Sequence, residues 1–163
     1  MKMPRQDDRR YRPNVAFLLR NARGQILIGE RADQPGSWQC PQGGVKRREA
    51  LAEALIREVR EEIGLPPSAY HVLSERGPYR YRFPKGYKKG PYAGQSQTWF
   101  LAELADPSAA ICIDTKNPEF RAFRWILPGT LDLRWLPPMK RLVYLRVFFD
   151  FFGVTLLHPG TGQ

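Results

Sequence analysis

Residues 43 to 67 leave this chain one way to fold locally. The stretch GGVKRREALAEALIREVREEIGLPP has two glycines at its head, a run of helix formers from Arg48 to Ile63, and Gly64 followed by Pro66-Pro67. Leu51, Ala54, Leu55, Glu58, Val59 and Glu62 recur at helical spacing, so one helix is predicted here. Gly64 stands where a helix-ending left-handed glycine belongs, and the two prolines bar continuation. The helix carries an unusual burden. Glu49, Glu53, Glu58, Glu61 and Glu62 are five of the chain's 16 acidic residues, although the chain has a formal net charge of +10. Glu58, Glu61 and Glu62 are three and four residues apart and share a face, where like charges destabilise a helix.

Two readings of that cluster compete. In the plain one it is a solvated face, relieved by Arg57 and Arg60, with Glu53, Arg57 and Glu61 forming a surface ladder. In the other, a hard cation relieves the repulsion, because Mg²⁺ takes carboxylate and phosphate oxygens together. The rest of the chain favours an anionic partner. Surplus Lys and Arg attract polyanions such as nucleic acid, nucleotides or an acidic membrane face.

With 163 residues, 42% hydrophobic and 26% charged, the chain is expected to form one globular domain. No run reaches the roughly 18 apolar residues of a membrane span. No apolar signal core precedes residue 14, so a cytoplasmic protein is expected. Cys40 and Cys112 lack metal-ligand spacing and read as ordinary thiols. Strand-like runs occur at 15–21, 25–31, 70–75, 79–83, 97–104 and 120–126, with a turn at residues 22–24. An apolar segment after Pro137-Pro138, MKRLVYLRVFFDFF, is predicted to be a helix packed on the sheet. The mixture indicates an α/β sandwich. Residues 1–10 are expected to be a flexible N-terminal segment, 11–153 the domain and 154–163 a loose tail.

Gly43, five residues, Glu49, seven residues and then REVREEIGL (57–65) resemble the complete Nudix box, filled over 23 residues. YRPNV (11–15), SWQCPQGG (37–44), GQSQTWFL (94–101), NPEF (117–120) and MKRLVY (139–144) are similar to landmarks of one branch of that family. That branch holds the bacterial RNA pyrophosphohydrolases and dinucleoside polyphosphate hydrolases. The resemblance implies an α/β/α sandwich with a mixed sheet between helices. It also implies a hydrolase that uses water to cleave a phosphoanhydride bond with Mg²⁺, or Mn²⁺ in its place.

By the same resemblance, Glu58, Glu61 and Glu62 are metal ligands, with Glu119 of NPEF supplying a further acid. Glu62 and Glu119 are the two contenders for the base that takes a proton from water. Arg57 would orient the glutamates by pairing with Glu49 or a ligand. Arg12, Arg31, Ser37, Gln95 and Lys140 resemble substrate contacts, while Gly43 and Gly44 are backbone devices whose amides could meet an oxyanion. Lys46-Arg47-Arg48 departs from the Pro-Gly turn common before the box glutamate. Cys40 and Met139 stand where aromatics are frequent, and both bear on substrate preference.

The expected substrates are 5′-triphosphorylated RNA and dinucleoside polyphosphates, with no reading of DNA sequence and no membrane partner. A nucleoside triphosphate sanitising enzyme is the alternative within the class. A catalytically silent RNA- or nucleotide-binding module is the rival outside it, and the intact glutamates oppose it. One stretch stands apart: from Gly77 to Ala102 there is no acid, and PYRYRFPKGYKKGPY (78–92) interleaves cations with aromatic rings. Basic groups there suit phosphates and exposed rings suit bases; the plain reading is a hairpin whose tyrosines face the core. Of the tryptophans, Trp38 is expected nearest the site. His71 and His158 have no catalytic partner pattern.

Overall fold

The computed structural model describes residues 10–157. One seven-stranded sheet is built from β1 (Tyr11–Arg20), β2 (Ile26–Arg31), β3 (Trp38–Gln39), β4 (Gln42–Gly44), β5 (Tyr70–Arg82), β6 (Gly94–Leu104) and β7 (Phe120–Ile126). Its main path runs β3-β2-β1-β6-β5, with β4 added to β1 and β7 to β2. The sheet is mixed because β1 and β6 run parallel, in register from Tyr11 opposite Gly94 to Arg20 opposite Glu103, while its other pairings are antiparallel. Helices α1 (Leu51–Ile63) and α2 (Pro138–Phe152) cover opposite faces.

Alternation along β1 explains the two layers. Val15, Phe17 and Leu19 point to α1 and join Ala54, Leu55, Val59 and Ile63. Ala16 and Leu18 point to α2 and join Trp99, Tyr144, Val147 and Phe148. A strand buried on both faces reads as a continuous apolar run, and each fully buried large side chain contributes roughly 1.5–3 kcal/mol. The α/β/α arrangement follows.

Three local expectations need adjusting. Helix α1 begins at Leu51 rather than Arg48, because Arg48 has a left-handed backbone (φ 64°) and Ala50 is the first cap. Gly64 does end the helix in the left-handed region (φ 71°). The runs at 70–75 and 79–83 are one strand. The long partner β6 holds both, and register shifts at Val72/Ser74 and Arg76/Tyr79 absorb Gly77-Pro78. After Gly153, Val154 packs on the α2-side core and Leu156 is buried in it, so a loose tail does not begin at 154. Residues 1–9 and 158–163, including His158, lie outside the described residues.

Candidate active site

The acidic face of α1 lies across β4, and glycine makes this approach possible. A Cβ on Gly43 would overlap the carboxylate of Glu58, and one on Gly44 would overlap the guanidinium of Arg12. The two glycines therefore admit an acid from one side and a base from the other into a cleft of about 600 Å³. Glu58, Glu61, Glu62 and Glu119 line it together with Arg12, Arg31, Lys89 and Lys140.

Arg57 organises the acidic side. Its Nε and Nη2 donate to the two oxygens of Glu49, each at 2.7 Å, while Nη1 donates to Glu58 (2.7 Å) and Glu61 (3.2 Å). Nη2 also donates to the Gly44 carbonyl at 2.9 Å, tying the helix to β4. This fork holds the Glu49 carboxyl down at about 2, with the Lys46 amide assisting. Glu58 is raised by burial despite Arg57, with Glu61 and Glu119 adding repulsion. Glu62 is raised well above the ordinary carboxylate range by burial, then by Glu58 and Glu119. Its carboxylate accepts one bond from the Gln42 amide at 3.1 Å.

Among the described residues, no three carboxylate, imidazole or thiol side chains are drawn together as an ion-holding group. The reason is visible: Arg57 engages Glu58 and Glu61, and Gln42 engages Glu62. The donors are nonetheless all oxygens, in mutual repulsion on one wall, and the Gly43 notch is shaped to the Glu58 carboxylate. That chemistry fits a hard divalent cation.

Opposite stands a cationic wall. Lys140, 4% exposed, reaches the cleft from the first turn of α2 and donates to Gln39 Oε1 at 2.9 Å. Burial, then Arg31 and Lys89, pull its ammonium down to about 7. Arg31 also pairs with Asp33 at 2.7 Å. Beneath Asn14 and Gln42 of the cleft, buried Gln97 donates to Asn14 (3.0 Å) and Gln42 (2.8 Å) and accepts from Trp99 Nε1 (3.2 Å). Two buried oxygens lining the cleft, Gln95 Oε1 and Thr115 Oγ1, lack a partner among the described residues. The cleft thus offers acids and cations to one ligand.

The model of the NUDIX domain matches residues 10–146. This chain belongs to the Nudix family. The RNA pyrophosphohydrolase of Hahella chejuensis is 41% identical over 150 residues, covering 88% of this chain and 92% of that protein. That of Marinomonas sp. is 45% identical over 122 residues, covering 71% and 75%. Among solved structures, a C. elegans Ap4A hydrolase binary complex superposes with a TM-score of 0.65 at 19% identity, covering 87% of this chain and 98% of that one. At that identity the likeness shows the fold alone.

The Nudix cleft gathers nearly all the residues singled out from the sequence. Glu58, Glu61, Glu62, Glu119, Arg12, Arg31, Gly43, Gly44, Gln95 and Lys140 line it, and Arg57 and Glu49 brace it from behind. Ser37 is not brought to it; its hydroxyl donates to the Trp135 carbonyl at 3.1 Å. Trp38 is also not at the cleft, because Arg124 stacks on its ring at 3.7 Å and on Trp135 at 4.9 Å. Cys40 is buried and Cys112 exposed, both as free thiols. Burial pushes the Cys40 thiol up to about 12. The basic aromatic stretch divides by alternation. Tyr81, Phe83, Tyr87 and Lys89 line the cleft, whereas Arg80 and Arg82 turn to Tyr11 on the other face. Reading residues singly missed Gln39, Gln42, Asn14 and Gln97. The period of two from Gln95 to Gln97 was the one signal that pointed to this polar relay. No helix among the described residues is long and apolar enough to cross a membrane.

Proposed function

We infer that this chain is a Nudix pyrophosphohydrolase that removes pyrophosphate from 5′-triphosphorylated RNA in the cytoplasm, and that the same chemistry cleaves dinucleoside polyphosphates asymmetrically. The observation carrying this reading is the single cleft in which an all-oxygen acidic wall faces Arg12, Arg31, Lys89 and Lys140. Curated RNA pyrophosphohydrolases at 41% and 38% identity over most of the chain support the RNA branch. A silent binding module has no use for repelling carboxylates gathered on one wall of such a cleft.

Nudix hydrolases work with a divalent cation, and Glu58, Glu61, Glu62 and Glu119 are the residues that would hold it here, with Mg²⁺ as first choice and Mn²⁺ as substitute. When bound, such an ion neutralises phosphate charge and lowers the pKa of water. The chain's own groups do the rest. Arg12, Arg31 and Lys140 grip the phosphate oxygens and hold the anhydride bond toward the acidic wall. Arg57 keeps Glu58 and Glu61 oriented through its fixed fork. Glu62 or Glu119 takes the proton from the attacking water. Oxygen from that water bonds to phosphorus, the anhydride bond breaks, and pyrophosphate departs, leaving a 5′-monophosphate on the RNA.

Product analysis with 5′-triphosphorylated RNA and diadenosine tetraphosphate, side by side at matched enzyme concentration with Mg²⁺, tests this. Pyrophosphate and monophosphorylated RNA are expected. Cleavage of free nucleoside triphosphates with both other substrates untouched would replace the reading with a sanitising enzyme.

A further inference from the structure

Three rings lead out of the cleft in a ladder. Tyr81 on β5 is 7% exposed and packs in the α2-side core. Phe83 meets it edge-on with centroids 6.1 Å apart, and Tyr87 meets Phe83 at 4.9 Å. All three line the cleft, but exposure rises outward, reaching 48% at Tyr87. Packing accounts for the inner two rings. It does not account for the third: Tyr87 packs its ring on Phe83 and leaves about half of its surface to solvent, at the mouth of a polar cleft.

The loop that carries Tyr87 has one sign of charge. Lys85, Lys88 and Lys89 flank the tyrosine, and no acid occurs from residue 77 to 102. The loop is held from both sides: the Phe83 amide donates to the Ala93 carbonyl at 2.8 Å, that of Tyr87 to the Pro84 carbonyl at 3.0 Å, and Lys89 bridges Tyr92. The ring is therefore positioned before any ligand arrives. An aromatic face set among cations suits a single-stranded nucleic acid, whose bases stack while its phosphates find positive charge.

We propose that Tyr87 is a stacking platform for a base downstream of the triphosphate-bearing nucleotide, so that the ladder carries an RNA chain out of the cleft and favours RNA over a free nucleotide. This rests on the RNA reading above and adds a residue that selects polymer from monomer. Lys85 and Lys88 serve the phosphates of the same segment. A free nucleoside triphosphate ends before reaching Tyr87 and gains nothing from it.

The experiment compares wild type, Tyr87→Ala and Tyr87→Phe on a nucleoside triphosphate and on short 5′-triphosphorylated RNAs, either intact or lacking the base at the second or third nucleotide. Tyr87→Ala is expected to lower kcat/KM on intact RNA on the order of tenfold, with the nucleoside triphosphate unchanged and Tyr87→Phe close to wild type. Removing the stacked base should cost wild type a similar factor and cost Tyr87→Ala nothing further. Equal losses on polymer and monomer, no loss on either, or fully additive losses from ring and base removal would overturn the proposal and leave the RNA reading standing. A wild-type enzyme inactive on every triphosphorylated RNA would overturn both.

Discussion

The carboxylate of Glu58 occupies the space where a side chain on Gly43 would have to stand. Gly43→Ala should therefore displace the acid and spare the fold, because the end of a glutamate can swing aside. Misplacing a reacting group by about 1 Å costs on the order of 100-fold in rate. We expect a loss of that size in kcat with a nearly unchanged melting temperature. Turnover close to wild type would mean that Glu58 need not sit in the notch.

Two conservative substitutions separate the roles of the acids. Glu61→Gln keeps volume and loses charge, so turnover should nearly vanish even at saturating Mg²⁺. Glu119 stands apart from the helix, immediately before β7. A fall in kcat for Glu119→Gln that added metal does not restore assigns it the water's proton; restoration by metal makes it a ligand alone.

Acid stability should report the Glu49–Arg57 fork. The Glu49 carboxyl is held at about 2, below its ordinary 4.5. A depressed acid contributes stability that is complete above its unfolded pKa and is lost as pH falls toward the folded one. The melting temperature of wild type should thus exceed that of Glu49→Gln at pH 6, and the gap should narrow as pH drops from about 4.5 toward 2. A gap that stays constant from pH 6 to pH 3 would rule out this pairing as its source.

Lys140 makes a prediction of opposite sign. Burial and neighbouring cations pull its ammonium down to about 7, so much of it is neutral slightly above that pH. A polyphosphate arriving beside it favours the charged form, and the complex should take up a proton. Calorimetry of metal-free tripolyphosphate binding at pH 8, in buffers of differing ionisation enthalpy, measures that uptake. Lys140→Met should remove most of it. The same uptake in the variant would assign the proton to the glutamates.

Much of this was legible where the physics is local. The helix bearing Glu58, Glu61 and Glu62 follows from spacing and from Gly64, and the sandwich from buried runs such as VAFLL. Its first residue was misread because the left-handed turn at Arg48 is not encoded by a glycine. Arg12 and Lys140 were picked out by resemblance, but their facing positions depend on β1 meeting β6 and on α2 folding back, contacts that no window of sequence contains. That the Ser37 hydroxyl turns to the Trp135 carbonyl, almost 100 residues onward, is likewise beyond any local window. Alternation along β5 separates Tyr81 from Arg80 and Arg82, yet which face is the cleft becomes visible only once the sheet is assembled.

The parallel pairing of β1 with β6 joins residues 83 positions apart. A ribosome making this chain therefore releases Arg12 and the glutamate helix long before the strand that backs them. Closing so long a loop is costly until its contacts form, and such topologies fold slowly. The cleft is completed later still, because Glu119 and Lys140 follow β6 in the chain and must emerge before the two walls can face each other.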